Sequence, residues 1–134
     1  MWVYEKRLQF PVNIKRPDPK AAQIIISQYG GPDGEMGASM RYLSQRYSMP
    51  DNKVAGLLTD IGTEELAHLE IVATMVHQLT RNLTPEQIMN SGFAPYYTDH
   101  TVGVWPQAAG GIPFNACEFQ VKGCLLYTSP SPRD

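Results

Sequence analysis

One amphipathic stripe between residues 54 and 79 constrains the fold of this chain more than any other feature. Its members alternate spacings of four and three positions: Val54, Leu58, Ile61, Glu65, His68, Val72, Met75 and Leu79. That spacing places them all on one face of an α-helix. Six of the eight are apolar, so we expect the stripe to face a core, with a carboxylate and an imidazole at its middle.

Glu65 and His68 require partners, because burying a charged side chain alone is unfavourable. They are three residues apart, the Glu-x-x-His arrangement that di-metal carboxylate proteins project inward from a bundle helix. The same two side chains can instead hydrogen-bond to each other or cap a neighbouring helix. The motif alone therefore leaves a metal-binding and a purely structural interpretation open.

Length and composition exclude several classes of protein. The 134 residues suffice for one domain with a core, and the net charge of −2 without a basic block does not favour a nucleic-acid partner. No apolar run is long enough to span a membrane, and the first residues lack the pattern of a signal peptide. Two cysteines, Cys117 and Cys124, do not make a disulfide framework, so synthesis in the cytoplasm is expected.

Proline and capping residues mark the helix starts. Asp18-Pro19 predicts a helix to about residue 29, which the glycine-rich residues 30–34 interrupt and which resumes to about residue 47. Asp51 is the expected cap of a second long helix, to about residue 81. A short turn joins the two long helices, which predicts that they lie antiparallel.

The remainder of the chain is predicted to contain little regular structure. Thr84-Pro85 marks a short helix that ends near residue 90. Residues 93–123 are rich in glycine, proline and aromatic side chains, and we expect a long irregular segment there. The predicted fold class is therefore all-α, dominated by one antiparallel helix pair.

A second acid, Glu35, is expected near Glu65. It lies about 13 residues before the turn between the long helices and Glu65 lies about 15 after it, so at about 1.5 Å per residue both reach similar heights. Two inward carboxylates at one level repel each other unless a cation lies between them. Glu35 shares its helix face with Ser39 and Tyr42, whose hydroxyl can donate to a carboxylate. Alternatively, Glu35 is only a first-turn acid that the helix dipole favours.

Several segments resemble the manganese catalases. They are QYGGPDGE at residues 28–35, RYL at residues 41–43 and LLTDIGTEELAHLE at residues 57–70. The opening MWVYEKRLQFP, residues 1–11, is similar to the CotJC-type spore coat proteins within that family. The resemblance covers residues 1–123 and implies a ferritin-like four-helix bundle that holds two manganese ions.

The resemblance also implies roles for individual residues. Glu35 matches the metal ligand of the family's first helix, and Glu65 and His68 match those of the second, with Glu65 expected to bridge the two ions. Tyr42 matches a tyrosine that lies beside the ligands. No catalytic residue separate from these ligands is implied.

The implied activity is the dismutation of hydrogen peroxide to water and oxygen by a homo-oligomer in the spore coat, where other coat proteins are the expected partners. One alternative is a structural coat protein that keeps the ferritin-like fold without significant catalysis. Another is a di-iron protein of the ferritin or rubrerythrin type, because ligand spacing alone cannot choose manganese over iron.

The last eleven residues, 124–134, do not fit the family pattern. The family has a third and a fourth long helix with a further Glu and His, whereas this sequence continues as CLLYTSPSPRD. That peptide matches the codon-by-codon translation of a transposase-type sequencing adapter. We therefore expect residues 1–123 to be the N-terminal part of a longer catalase-like domain and residues 124–134 to be non-native. With three candidate ligands, the chain as written is expected to be inactive.

Overall fold

A computed structural model describes residues 3–30 and 33–93, which contain four α-helices and no strand. Their bounds are α1 Pro19–Ile25, α2 Glu35–Gln45, α3 Asn52–Thr80 and α4 Pro85–Asn90. Short 3-10 turns, Ile26–Gln28 and Arg46–Ser48, extend α1 and α2. The predicted all-α class is confirmed. The expected irregular segment and the eleven-residue tail lie outside the described residues, apart from Phe93.

The helix starts lie where the capping residues predict them. The Asp18 carboxylate accepts hydrogen bonds from two backbone N–H groups in the first turn of α1, and Asp51 accepts one at the start of α3. Thr84 and Gln87 form a reciprocal capping box on α4. Each cap satisfies donors that a helix leaves unpaired at its N-terminus.

A tight turn separates α1 from α2, as the glycine-rich residues predict. At Gly34 a Cβ atom would lie 2.7 Å from the Gly30 carbonyl oxygen and 2.9 Å from that of Gln28. No side chain fits in that space, so the backbone can fold back here only with glycine. The new helix then begins at Glu35, which places this acid in the first turn of α2.

The α2 and α3 helices are antiparallel. Ser39 donates its hydroxyl to the Gly62 carbonyl oxygen at 2.7 Å, and Arg46, directly after α2, donates to the Thr59 hydroxyl at 3.4 Å. Positions later in α2 thus meet positions earlier in α3. The α1 helix continues the same direction, because the Asp18 N–H donates to the Leu79 carbonyl oxygen near the far end of α3.

Two apolar clusters lie along the predicted stripe of α3. One, between α1 and the second half of α3, comprises Ala22, Ile26, Val72, Val76, Leu79 and Phe93. The other joins α2 to the first half of α3 through Tyr42, Leu58 and Ile61. Of the eight stripe residues, five are buried and three are partly buried, so the predicted inward face is confirmed. Glu65 and His68 lie between the two clusters.

The segment before α1 is hydrogen-bonded to side chains of α3 and of Arg81, which follows that helix. Gln78 accepts a hydrogen bond from the Ile14 N–H and donates one to the Val12 carbonyl oxygen, and Arg81 also donates to Ile14. Nearer the N-terminus, Tyr4 donates its hydroxyl to Glu70. None of the described helices is long and apolar enough to cross a membrane.

The close approach of α2 and α3 at Gly62 generates the first prediction. A Cβ atom there would lie 2.7 Å from Cγ and 3.2 Å from the backbone nitrogen of Leu43. We expect Gly62→Ala to cost about 1–3 kcal/mol of overpacking, against about 1 kcal/mol gained in helix propensity. The free energies of unfolding of the variant and of the original chain, measured in urea, give the net effect of the two contributions.

Gly56→Ala is the matched control, because the same helix leaves open space around Gly56. The free energy of unfolding of that variant should rise by about 1 kcal/mol, through helix propensity alone. Equal free energies of unfolding for the two variants would contradict the close approach.

Candidate metal centre

Three side chains converge between the two apolar clusters. Glu35, Glu65 and His68 each present one ligand atom, and these atoms all lie within 4.8 Å of one another. The His68 Nδ1 atom lies 3.0 Å from Glu65 Oε2 and 3.9 Å from Glu35 Oε2. The convergence expected from the matched helix heights is therefore present.

Each side chain is placed by its helix. Glu65 and His68 are one turn apart on α3, so their side chains share a face. Glu35 reaches the same level from the first turn of α2, because Gly34 ends the preceding tight turn and the Ser39–Gly62 hydrogen bond holds the helices together one turn later.

Burial differs among the three groups. Glu65 is 5% exposed, whereas the side chains of His68 and Glu35 retain 14% and 23% of their exposure. The carboxylate with the least access to water therefore lies innermost, and the site opens to solvent past the other two.

Hydrogen bonds between the three side chains converge on Glu65. Glu35 shares a side-chain hydrogen bond with Glu65, and His68 Nδ1 contacts Glu65 Oε2. An ionised carboxylate only accepts hydrogen bonds, so a proton on Glu35 and a proton on Nδ1 satisfy Glu65 in this arrangement. Both protons lie in the space between ligand atoms that a cation would occupy.

Burial raises the pKa of the Glu35 carboxyl to about 8. The hydrogen bond to Glu65 and the negative charge of Glu65 contribute to this rise in pKa, while His68 opposes it. Glu35 therefore keeps its proton at neutral pH when no cation is bound.

The donor set fits a hard or borderline divalent cation. Carboxylate oxygens and an imidazole suit manganese and iron alike. Ligand bonds to divalent cations such as Mg²⁺ and Ca²⁺ measure about 2.0–2.6 Å, so two ligand atoms on one ion lie up to about 4–5 Å apart. The observed spread of 4.8 Å falls at the upper end of that range. Burial, and then the neighbouring Glu65, raise the pKa of the Glu35 carboxyl, and a bound cation would favour its ionised form instead.

Tyr42 lies two turns after Glu35 on α2 and is 1% exposed. It packs with Leu58 and Ile61 in the apolar cluster that joins α2 to the first half of α3. The nearer hydroxyl on this face, Ser39, donates to the Gly62 carbonyl oxygen. Ser39 thus contributes by setting the distance between α2 and α3.

Sequence reasoning missed two features around the site. Gly62, one turn before Glu65, lets α2 approach closely, and its signal was a glycine within an otherwise uninterrupted helical pattern. Arg41 is buried, which lowers the pKa of its guanidinium, while the charge of Asp33 opposes that shift. This interaction connects the middle of α2 to the turn that precedes Glu35.

Comparison with known proteins identifies the family. The family model described as manganese containing catalase matches residues 1–127. Protein CotJC of Bacillus subtilis is 54% identical over 123 residues, covering 92% of this chain and 65% of that protein. A probable manganese catalase of Clostridium acetobutylicum is 37% identical over 128 residues, covering 94% of this chain and 57% of that protein.

The fold comparison agrees with this result. The crystal structure of wild-type KatB, a manganese catalase from Anabaena, matches with a TM-score of 0.74 at 28% identity, over 88% of this chain and 52% of KatB. The match confirms the predicted partial ferritin-like all-α fold. The chain spans 65% of CotJC and about half of KatB. By the extent of the family match and by its similarity to these relatives, the chain belongs to the manganese containing catalase family.

Proposed function

We propose that Glu35, Glu65 and His68 are manganese ligands of a protein that converts hydrogen peroxide to water and oxygen. The observation that carries this proposal is the burial of Glu65 against a second carboxyl group and an imidazole. Such a cluster is unfavourable without a cation, since its negative charges lie close together away from water. Family membership supports manganese as the metal and peroxide as the substrate.

When bound, a manganese pair supplies reversible two-electron redox chemistry, so one peroxide is reduced to water and another is oxidised to oxygen. The protein's own groups hold and shield the site. Glu65, the innermost carboxylate, would hold the metal together with Glu35 and His68, which retain more exposure to solvent. The clusters around Tyr42 and Val72 exclude water from either end.

A single copy of the α2–α3 pair offers only part of the required ligand set. Ferritin-like di-metal sites use a Glu from each of two helices and a Glu-x-x-His motif from each of two more. We propose that residues 1–123 belong to a longer protein that supplies the remainder, that residues 124–134 are non-native, and that one copy of the chain as written is inactive.

A spore coat role is the second candidate function. The observation that favours it is the 54% identity to CotJC, to whose type the first eleven residues are also similar. This proposal includes synthesis in the cytoplasm, a place in the spore coat, homo-oligomers and contacts with other coat proteins. The coat role is compatible with catalysis, and it becomes the sole function if the metal-loaded protein does not turn over peroxide.

Iron is the alternative metal, because the same oxygen and nitrogen donors serve di-iron proteins of the ferritin and rubrerythrin type. Metal analysis after competition between Mn²⁺ and Fe²⁺ under anaerobic conditions distinguishes the two. We expect manganese to be retained, in accordance with the family.

The ligand assignment predicts a selective loss of Mn²⁺ affinity. Glu65→Gln preserves shape but removes the innermost charge, and we expect affinity to fall by at least about a hundredfold, since changes even to partners of ligands cost 10–100-fold. Isothermal titration with Mn²⁺ measures the effect. Glu70→Gln is the matched control, because Glu70 is on the same helix, contacts Tyr4 and is not in the cluster. Equal affinities for the two variants would contradict the assignment.

The raised pKa of Glu35 predicts how Mn²⁺ binding depends on pH. Below about pH 8 the cation must displace the proton from Glu35, so affinity should rise by about tenfold per pH unit and level off above that value. Titrations between about pH 7 and pH 9 test this. In Glu35→Gln, affinity should be lower and this dependence absent. A wild-type affinity that does not change over this range would contradict the prediction.

The catalytic proposal is tested in a chimera that joins residues 1–123 to the C-terminal part of B. subtilis CotJC, the relative at 54% identity. After loading with Mn²⁺, we expect the chimera to evolve oxygen from peroxide and its Glu65→Gln variant to fold without doing so. Oxygen evolution by loaded CotJC but not by a folded, loaded chimera would contradict catalysis by this chain. Failure of both would favour the structural coat role.

A further inference from the structure

We propose that two copies of this chain associate through the outer face of α3, on the side of the helix away from the metal centre, with the two helices antiparallel. This face bears Asp60, Glu64 and Glu70, and residues 3–15 cross it and bond to it through side chains. The inference rests on the homo-oligomer named in the proposed function and assigns its surface. It does not use the ligand assignment, so the two can fail separately.

The end of the outer face that lies in the first half of α3 is acidic. Asp60, Glu64 and Glu70 line one cleft of about 1000 Å³ between α3 and the N-terminal segment. Arg7 lines the same cleft but is paired with Glu5 of its own segment at 2.6 Å. Four acidic side chains and one basic side chain therefore line the cleft, which favours a basic partner.

The other end of the outer face is basic. Arg81 follows Glu70 by eleven residues, or about three helical turns, and donates to the backbone carbonyl oxygens of Ile14 and Lys15 at 2.8 and 3.4 Å. This contact places Arg81 beside Lys15 and Arg16, and all three side chains are exposed. The ion pairs among the described residues include none of these three bases, so their charges are available to an acidic partner.

The N-terminal segment adds exposed apolar surface to the same face. Val3, Tyr4 and Phe10 retain 77%, 59% and 62% of their exposure. Tyr4 lies against α3 because its hydroxyl donates to Glu70, and Phe10 lies between two residues of the segment that bond to α3. Exposed aromatic and apolar side chains with charged groups around them are the composition of a protein–protein interface.

Charge complementarity identifies a second copy of the chain as the partner. Asp60 and Arg81 are about 30 Å apart along one rigid helix, so the acidic and basic ends cannot meet within a chain. When two such faces pack antiparallel, each acidic end lies against the basic end of the other copy, and the match is made twice. A twofold interface of this kind is the commonest in homo-oligomers, and a length of about 30 Å suits the usual area of about 800 Å² per partner.

Sedimentation equilibrium of the 134-residue chain tests the proposal. We expect a dimer whose dissociation constant rises at least about tenfold between about 0.05 M and 0.5 M NaCl, because salt screens the complementary charges. Mn²⁺ or a chelator should leave this constant unchanged, since the surface lies away from the metal centre. A monomer at low salt would overturn the proposal.

Charge reversal at each end tests the antiparallel arrangement. Asp60→Lys with Glu64→Lys, and Lys15→Glu with Arg16→Glu, each place like charges together when the variant pairs with itself, so its dissociation constant should rise at least about tenfold. An equimolar mixture of the two variants should pair again, because each reversed end then meets the other. Circular dichroism establishes that both variants are folded. A mixture of folded variants that stays monomeric would overturn the arrangement.

Two further variants separate this surface from general apolar association. Phe10→Glu and Met40→Glu both replace an exposed apolar side chain, at 62% and 54% exposure, but Met40 is on α2. We expect pairing to weaken at least about tenfold in the first variant and to be unchanged in the second. Equal effects of the two would refute the assigned surface. Isothermal titration of Lys15→Glu with Arg16→Glu tests the metal site separately, because the ligand assignment predicts that this variant binds Mn²⁺ whether or not it pairs.

Discussion

The burial of the Glu65 carboxylate is the constraint on which the rest of the structure depends. A carboxylate that is 5% exposed requires compensation, and here it comes from a carboxyl group on a second helix and an imidazole one turn away. Burial and the proximity of Glu65 also raise the pKa of the Glu35 carboxyl to about 8. In the function we propose, this site exchanges stability for affinity toward a metal.

The supporting structure keeps α2 close to α3. Two glycines act at different points: Gly34 permits the tight turn that begins α2 at Glu35, and Gly62 permits close contact between the helices. The Ser39 hydroxyl then bonds across that contact. A shift of about 1 Å between the helices would alter the distances from Glu35 to Glu65 and to His68, so these uncharged residues matter to the site although they are not candidate ligands.

The pair formed by α2 and α3 has an inner face and an outer face. Its inner face consists of two apolar clusters with the polar cluster between them, and its outer face is crossed by the segment that Gln78 and Arg81 fasten to α3. The two candidate ligands that retain more exposure, Glu35 and His68, lie on a third side. In the function we propose, the remainder of a longer chain covers that side.

The sequence by itself determined the helices and the members of the cluster. Capping residues and proline placed the starts of α1, α3 and α4, because these rules act within one turn, and the four-three spacing placed Glu65 and His68 on an inward face. Even the matching height of Glu35 followed from the constant rise of a helix. Only the tertiary structure decided that Glu65 is innermost, that Glu35 holds a proton, and that Gly62 sets the distance between helices. These properties depend on how two helices approach and how much water remains between them, and spacing along one chain does not encode either.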